Sequence, residues 1–452
     1  MNRDKAKKAK RQITKKQHPI SSKLAMAKNV IYVVAILHTL STLLSNCKSD
    51  QNPSFLPKFP AILVFGDSTV DSGNNNYIPT IFRANFYPYG KDYENHTPTG
   101  RFSDGKLVPD MIASSLGIKE AVPPFLMPNI SDHEILTGVT FASAGSGFDD
   151  LTTFASHGIP VLKQLQLFKS YKQRLERLVG RRRASKIIGD ALVMLSAGTN
   201  DFAINYYDIP TRKLQFDVRG YQDFILTRLQ NFTKELYNLG CRSMVIIGLP
   251  PIGCLPIQMT AKLQDPFHRH CLKNQNADAQ SYNQKLVKLL LQTKATLKGS
   301  RLEYGDIYGL TMHMINNPQK YGFVETKRGC CGTGLVEGSI LCNSLTPTCE
   351  KPSTFLFWDS IHPTQATYQC IAKYILKNTF MKANFPPHGV EYPGRVATGR
   401  FGNGKLVSDL LGSALGIKDV IPPYLGPNIS DAEIVTGVNF ASAGAGYDNL
   451  TT

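Results

Sequence analysis

No run of about 20 apolar residues, the length a membrane-crossing helix needs, occurs anywhere in these 452 residues. Acidic residues are scarce as well: 34 Asp and Glu stand against 51 Lys and Arg, a net charge of +17. Such an excess would suggest a nucleic-acid partner if it were spread over a surface. It is not: the first 28 residues hold ten Lys or Arg against the single acid Asp4. The remainder is mildly basic and lacks a basic stripe interleaved with aromatics, so no nucleic-acid partner is expected. Cys-x-x-Cys pairs are missing too. Without them, and with Cys330 and Cys331 adjacent, a tetrahedral zinc site is the weaker reading of the cysteines.

What is present is an ordinary globular composition, 42% hydrophobic and 19% charged, in a chain longer than one core usually serves. One large domain with additional segments is the expectation. Residues 1–28 read as a basic N-terminal extension. Residues 29–50 read as the hydrophobic region and cleavage zone of a signal peptide, because an apolar run of about 15 residues follows a basic flank and precedes small and polar residues. A signal starting at Met26 would be ordinary, which makes residues 1–25 an upstream extension or a misassigned start; an uncleaved signal anchor is the alternative. The expected mature protein is secreted, with no stable membrane span. Setting Cys47 aside with the signal region leaves eight cysteines, four of them between positions 330 and 349, which points to disulfides in an oxidising compartment. The Asn-x-Ser/Thr acceptors Asn95, Asn129 and Asn231, with Asn428 and Asn449 further on, are compatible with glycosylation.

From about residue 59 to 380 short Val/Ile/Leu runs alternate with amphipathic stretches. The runs predict strands over Ala61–Phe65, Gly138–Phe141, Ala191–Leu195, Ser243–Ile247 and Leu302–Asp306, without the alternation of a half-exposed strand. Helical patterns fall over Lys106–Leu116, Val161–Leu178, Tyr221–Leu239, Cys271–Leu297 and Gln365–Lys377. Alternation of this kind predicts an α/β fold with a central parallel sheet covered on both faces. Its ligand site is then expected beyond the carboxyl ends of the strands. Residues 383–452 repeat residues 84–153 without a gap, with about 43 of 70 positions identical. Too short for a repeat array, this is a truncated second copy. It is expected to be inactive, and either poorly ordered or docked on the main domain; fusion or mis-joining of a neighbouring gene explains it.

Four blocks carry candidate chemistry. Phe65-Gly-Asp-Ser68-Thr-Val-Asp71 follows the first strand, where a glycine turn would leave the Ser68 hydroxyl at the edge of the sheet. Gly138-Val-Thr-Phe-Ala-Ser-Ala-Gly145 runs from a strand into small residues, which let a backbone N–H approach a ligand. Leu195-Ser-Ala-Gly-Thr-Asn200-Asp201 offers an amide that could face a developing oxyanion or merely cap a helix. Trp358-Asp359-Ser-Ile-His362-Pro363 spaces a carboxylate three residues from an imidazole, the orienter–base half of a triad, though a helix-entry turn also fits. Asp67 and Asp71 are read as turn-stabilising, His268 and His270 as surface or disulfide-loop residues. The Gly-x-Ser-x-Gly nucleophile elbow is absent, which disfavours the α/β-hydrolase fold.

Taken together, the blocks resemble the GDSL esterase/lipase family of the SGNH-hydrolase superfamily, most closely its secreted plant branch. The resemblance covers about seven-tenths of the chain and includes Thr99-Gly-Arg-Phe-Ser-Asp-Gly-Lys106 and Gly248-Leu-Pro-Pro-Ile-Gly-Cys254. It implies a flavodoxin-like three-layer α/β/α sandwich over residues 59–380. It implies Ser68 as nucleophile, His362 as base, Asp359 as its orienter, and an oxyanion hole from the N–H groups of Ser68 and Gly145 with the Asn200 side chain. Many members read Ala-Ser-Gly-Gly where this chain has Ala142-Ser-Ala-Gly145, a departure beside the donor rather than at it. The implied activity is hydrolysis of carboxylic esters, with a small-molecule or lipid ester as substrate, no cofactor or metal, and a monomeric protein. Acyl transfer by the same triad and a non-catalytic secreted binding protein are the alternatives.

Overall fold

A computed structural model of the chain describes residues 58–154, 156–209, 211–261, 269–380, 405–425 and 429–441. The basic extension, the signal region, His268, Asn428, Asn449 and the repeated Thr398–Phe401 lie outside the described residues. Four parallel strands stand side by side in chain order: β1 Ile62–Gly66, β2 Leu192–Ser196, β3 Ser243–Ile247 and β4 Arg301–Gly305. The predicted strand at Gly138–Phe141 is reduced to a bridge between Val64 and Thr140. It still follows β1 through Val64 N to Val139 O (3.1 Å), Phe141 N to Val64 O (2.7 Å) and Ser143 N to Gly66 O (3.1 Å). Its far side meets Pro123 and Pro124, and proline cannot donate to a ladder, so pairing stops there. With this edge segment counted as the second strand, the order is the 2-1-3-4-5 of flavodoxin-like folds.

Side-chain alternation explains the two helical layers. Val64 pairs in register with Met194, and Phe65 with Leu195, so neighbouring positions look to opposite faces. Phe65 meets Phe168 and Phe232 at ring distances of 5.6 and 5.5 Å. Those rings belong to α2 (Val161–Val179) and α3 (Val218–Asn238), beside which α4 (Lys273–Thr296) packs. Met194 looks the other way, toward α1 (Val108–Ser115) and α5 (Gln365–Ile375). Every residue of β1 and β3 is buried, as strands covered on both faces must be.

Beyond β4 a small parallel pair, β5 Glu325–Gly329 and β6 Phe355–Phe357, carries the chain back toward the site. The loop between them is stapled by Cys330–Cys349 and Cys331–Cys342, and a third bridge joins Cys254 to Cys271. Six of the eight cysteines are thus used. Cys241, just before β3, and Cys370, in α5, are buried outside the bridges. Among the described residues no helix is long and apolar enough to cross a membrane.

Candidate active site

β1 ends in Gly66 at φ 141°, where a β-carbon would sit 1.9 Å from the Ser196 carbonyl oxygen. Only glycine fits between these strands. Its backbone is clasped from α2: Gly66 N donates to Gln164 Oε1 (2.9 Å) and Gln164 Nε2 donates to Gly66 O (2.8 Å). The next turn is closed by Asp67, whose Oδ1 accepts from the amide and hydroxyl of Thr69 at 3.0 and 2.7 Å. Ser68 therefore stands on a rigid exit from the sheet, largely buried at 6% exposure.

His362 arrives from the other end of the chain. Its Nε2 lies 2.8 Å from Ser68 Oγ, and its Nδ1 lies 2.7 and 2.9 Å from the two carboxylate oxygens of Asp359. A carboxylate only accepts, so the proton belongs on Nδ1, and the Nε2 lone pair faces the serine hydroxyl. The three-residue spacing works because Asp359 Oδ1 also accepts from the amides of Ile361 (2.8 Å) and His362 (2.7 Å), winding the turn around its own carboxylate. Asp359 is wholly buried. Its second oxygen accepts from the hydroxyl of Tyr89 at 2.8 Å, and that hydroxyl accepts from Ser339 N at 2.7 Å.

The neighbouring loops are held by buried carboxyls. Asp71 accepts from Gly73 N and Asn74 N on one oxygen and from Ala144 N, at 3.0 Å, on the other. Burial pushes it up to about 6. Gly145 follows at φ 76°, where a β-carbon would meet that of Ser156 at 2.5 Å. Neither its N–H nor that of Ser68 donates to an acceptor among the described residues. Asn200 is the second residue of the short helix Thr199–Phe202. Its amide donates to Ser146 O at 2.9 Å, which fixes the side chain and leaves one amide hydrogen for the cleft. Asp201 accepts from Phe148 N, Asp149 N and the Thr152 hydroxyl, and burial pushes it up to about 7.

Ser68, Gly145, Asn200 and His362 line one cleft of about 290 Å³, with Asp359 directly behind His362. Asn95, Asn129 and Asn231 are exposed and stand outside the cleft lining. Sequence reasoning missed Tyr89, whose Tyr-Pro-Tyr-Gly setting carries no catalytic signal. It also left the Thr99–Lys106 block without a role. Phe102 packs its ring 4.9 Å from that of His362, Asp104 accepts from Gln365 N at 2.7 Å, and the Ser103 hydroxyl donates to Pro363 O at 3.1 Å. The block is the clamp on the histidine turn. A hydroxyl on an imidazole on a buried carboxylate, beside unengaged amide donors, can deliver a nucleophile to a carbonyl and receive the charge that develops on its oxygen.

The fold is of the flavodoxin-like α/β class, and at its sheet edge a serine hydroxyl, an imidazole and a buried carboxylate stand in line. The profile of the family described as GDSL-like Lipase/Acylhydrolase matches residues 62–375. Two GDSL esterase/lipases of Arabidopsis thaliana are 55% identical over 341 residues, covering 75% of this chain and 94% of the relative, and 54% identical over 345 residues, covering 76% and 96%. An extracellular lipase of Streptomyces rimosus aligns at 12% identity and a TM-score of 0.32, over 71% of this chain and 99% of that one, a likeness too slight to carry weight. The chain belongs to the GDSL-like lipase/acylhydrolase family, and with it to the carboxylic ester hydrolases.

Proposed function

We propose that this protein is a secreted ester hydrolase that works through an acyl-enzyme on Ser68. The observation that carries the reading is the relay of 2.8 Å from Ser68 Oγ to His362 Nε2 and 2.7 Å from His362 Nδ1 to Asp359. Ser68 Oγ attacks the ester carbonyl as its proton passes to Nε2. The carbonyl oxygen takes up the electron pair and is received by Ser68 N–H, Gly145 N–H and the Asn200 amide. Collapse of the tetrahedral species breaks the bond to the alcohol, which leaves with the proton from His362. Water then attacks the acyl-serine by the same route, giving the carboxylic acid and free Ser68. Asp359 holds the imidazole in the required tautomer and stabilises its charged form.

The cleft walls favour an apolar acyl or lipid ester: Ile81, Phe82, Ile204, Ile257, Ile340 and Leu341 surround the reacting groups. In this reading residues 59–380 are the catalytic domain, residues 29–50 direct export, and residues 383–452 are an inactive partial copy without counterparts of Ser68, Asn200 or His362. The exposed Asn95, Asn129 and Asn231 are acceptors available for glycans in the exported protein. Labelling with a serine-directed fluorophosphonate tests the reading. A single adduct on Ser68, lost in Ser68→Ala, supports it; labelling that persists in that variant would sink it.

A further inference from the structure

Two cavities lie back to back at the catalytic residues. The cleft holds Ser68, Asn200 and His362, whereas a second cavity of about 80 Å³ is bounded by Met194 and Ile247 of the sheet, Thr311, and Thr367, Ile371 and Ile375 of α5. Chain neighbours divide between them: Ser68 lines the first and Thr69 the second, Asn200 the first and Thr199 the second, His362 the first and Pro363 the second. Only Ile361 lines both among the described residues. The inner cavity therefore begins one residue behind the reacting groups, and Ile361 borders both spaces.

We propose that this inner cavity is an acyl-chain site and that Ile361 sets how far along it the substrate can reach. The inference rests on the ester-hydrolase reading above. Its direction follows from the four substituents of the tetrahedral carbon. One is Ser68 Oγ, one points at Gly145 and Asn200, and the leaving oxygen must face His362 Nε2. The cavity is lined by Thr199 behind the Asn200 flank and by Ile361 and Pro363 behind the His362 flank, which leaves it to the acyl chain. Its lining is mostly hydrocarbon, with the Tyr368 hydroxyl the one unpartnered buried polar group among the lining residues, and such a space favours an apolar chain. A water needs about 10–15 Å³ of such space and a methylene is of similar size, so the cavity accommodates roughly five to eight carbons. Ile361 is suited to set that reach because its amide, bonded to Asp359 Oδ1 at 2.8 Å, holds the backbone while its side chain is only half-buried.

The test is a series of aryl esters from acetyl to palmitoyl, with a matched series of acetates varied in the alcohol. Each buried methylene is worth roughly fourfold in binding. Ile361→Ala should therefore raise kcat/KM for dodecanoyl relative to acetyl ester by at least about tenfold, with no such change along the alcohol series. Ile371→Phe, added to Ile361→Ala, fills the far wall and should return the ratio to that of the parent chain; Thr311→Leu does the same from another element should the first fail to fold. An unmoved ratio in an Ile361→Ala protein that still cleaves the acetyl ester overturns the assignment. So does a gain that survives filling, or one that follows the alcohol. If the parent chain cleaves no ester at all, the hydrolase reading is what fails. The cavity is then read from binding of the fluorescent fatty acid cis-parinaric acid, which Ile361→Ala must tighten if the assignment is to stand.

Discussion

Replacing Asn200 by alanine removes one donor from the proposed oxyanion hole and leaves the fold its main support there, because Asp201 anchors the adjoining loop. We expect kcat to fall by about 10²–10³, with circular dichroism and the melting temperature little changed; an Asn200→Ala enzyme of full activity would remove the residue from the mechanism. Tyr89 acts one step further back. Tyr89→Phe takes the hydrogen bond from Asp359 Oδ2 and strands Ser339 N. Hydrogen bonds to charged groups are worth about 1.5–3 kcal/mol, so kcat should drop about ten- to a hundredfold while KM stays near its original value. A change in KM alone would show that Tyr89 shapes the pocket instead of holding the carboxylate.

At the level of elements, the start of α1 is held by an ion pair shut away from water. Arg101 meets Asp110 through two bonds of 2.8 Å, at 4% and 1% exposure. The same carboxylate accepts from Leu107 N and Val122 N. Removing one partner leaves an uncompensated buried charge, which costs about 3–5 kcal/mol. Arg101→Ala should show that loss in urea unfolding, and activity should fall with it, because the clamp around His362 begins at the neighbouring Phe102. A loss below about 1 kcal/mol would mean that the pair contributes little. The partial copy shows how much of such an element is local. Its helix Val407–Ala414 has the same start, with Asp409 accepting from Leu406 N. Lys418 Nζ donates to Glu433 O and Gly437 O just as Lys119 Nζ does to Glu134 O and Gly138 O.

The whole molecule carries its buried carboxyls as a pH dependence. Burial raises Asp71 to about 6 and Asp201 to about 7, and raises Asp67 and Asp104 in the same direction. A carboxyl whose value is higher in the folded chain than in the unfolded one binds its proton more tightly when folded. Its contribution is therefore complete at about pH 4 and is lost as pH rises through 6–7. The melting temperature should fall between pH 5 and pH 8, and Asp201→Asn should flatten part of that slope. Calorimetry showing the opposite trend would mean that these carboxyls are ionised at little cost in the folded state.

What the sequence by itself determined is whatever depends on nearby residues. The β1, β2 and β3 runs fall within a residue of the strands, α2 and α4 within two, and the Asp359–His362 spacing already contained its own turn. The copied segment repeats the local hydrogen bonds at the start of α1 and of Lys119, with no strand of the sheet among its described residues. Burial is another matter. Ile112 is fully buried in α1, whereas its counterpart Leu411 is 57% exposed, because only a neighbouring β1 and α5 can remove that face from water. Tertiary structure alone decided that Gly138–Phe141 would stop at a bridge beside two prolines, that Tyr89 would reach Asp359 across 270 positions, and that an apolar cavity would lie behind Ile361. Each depends on which surfaces meet when distant segments pack, and no local pattern records that.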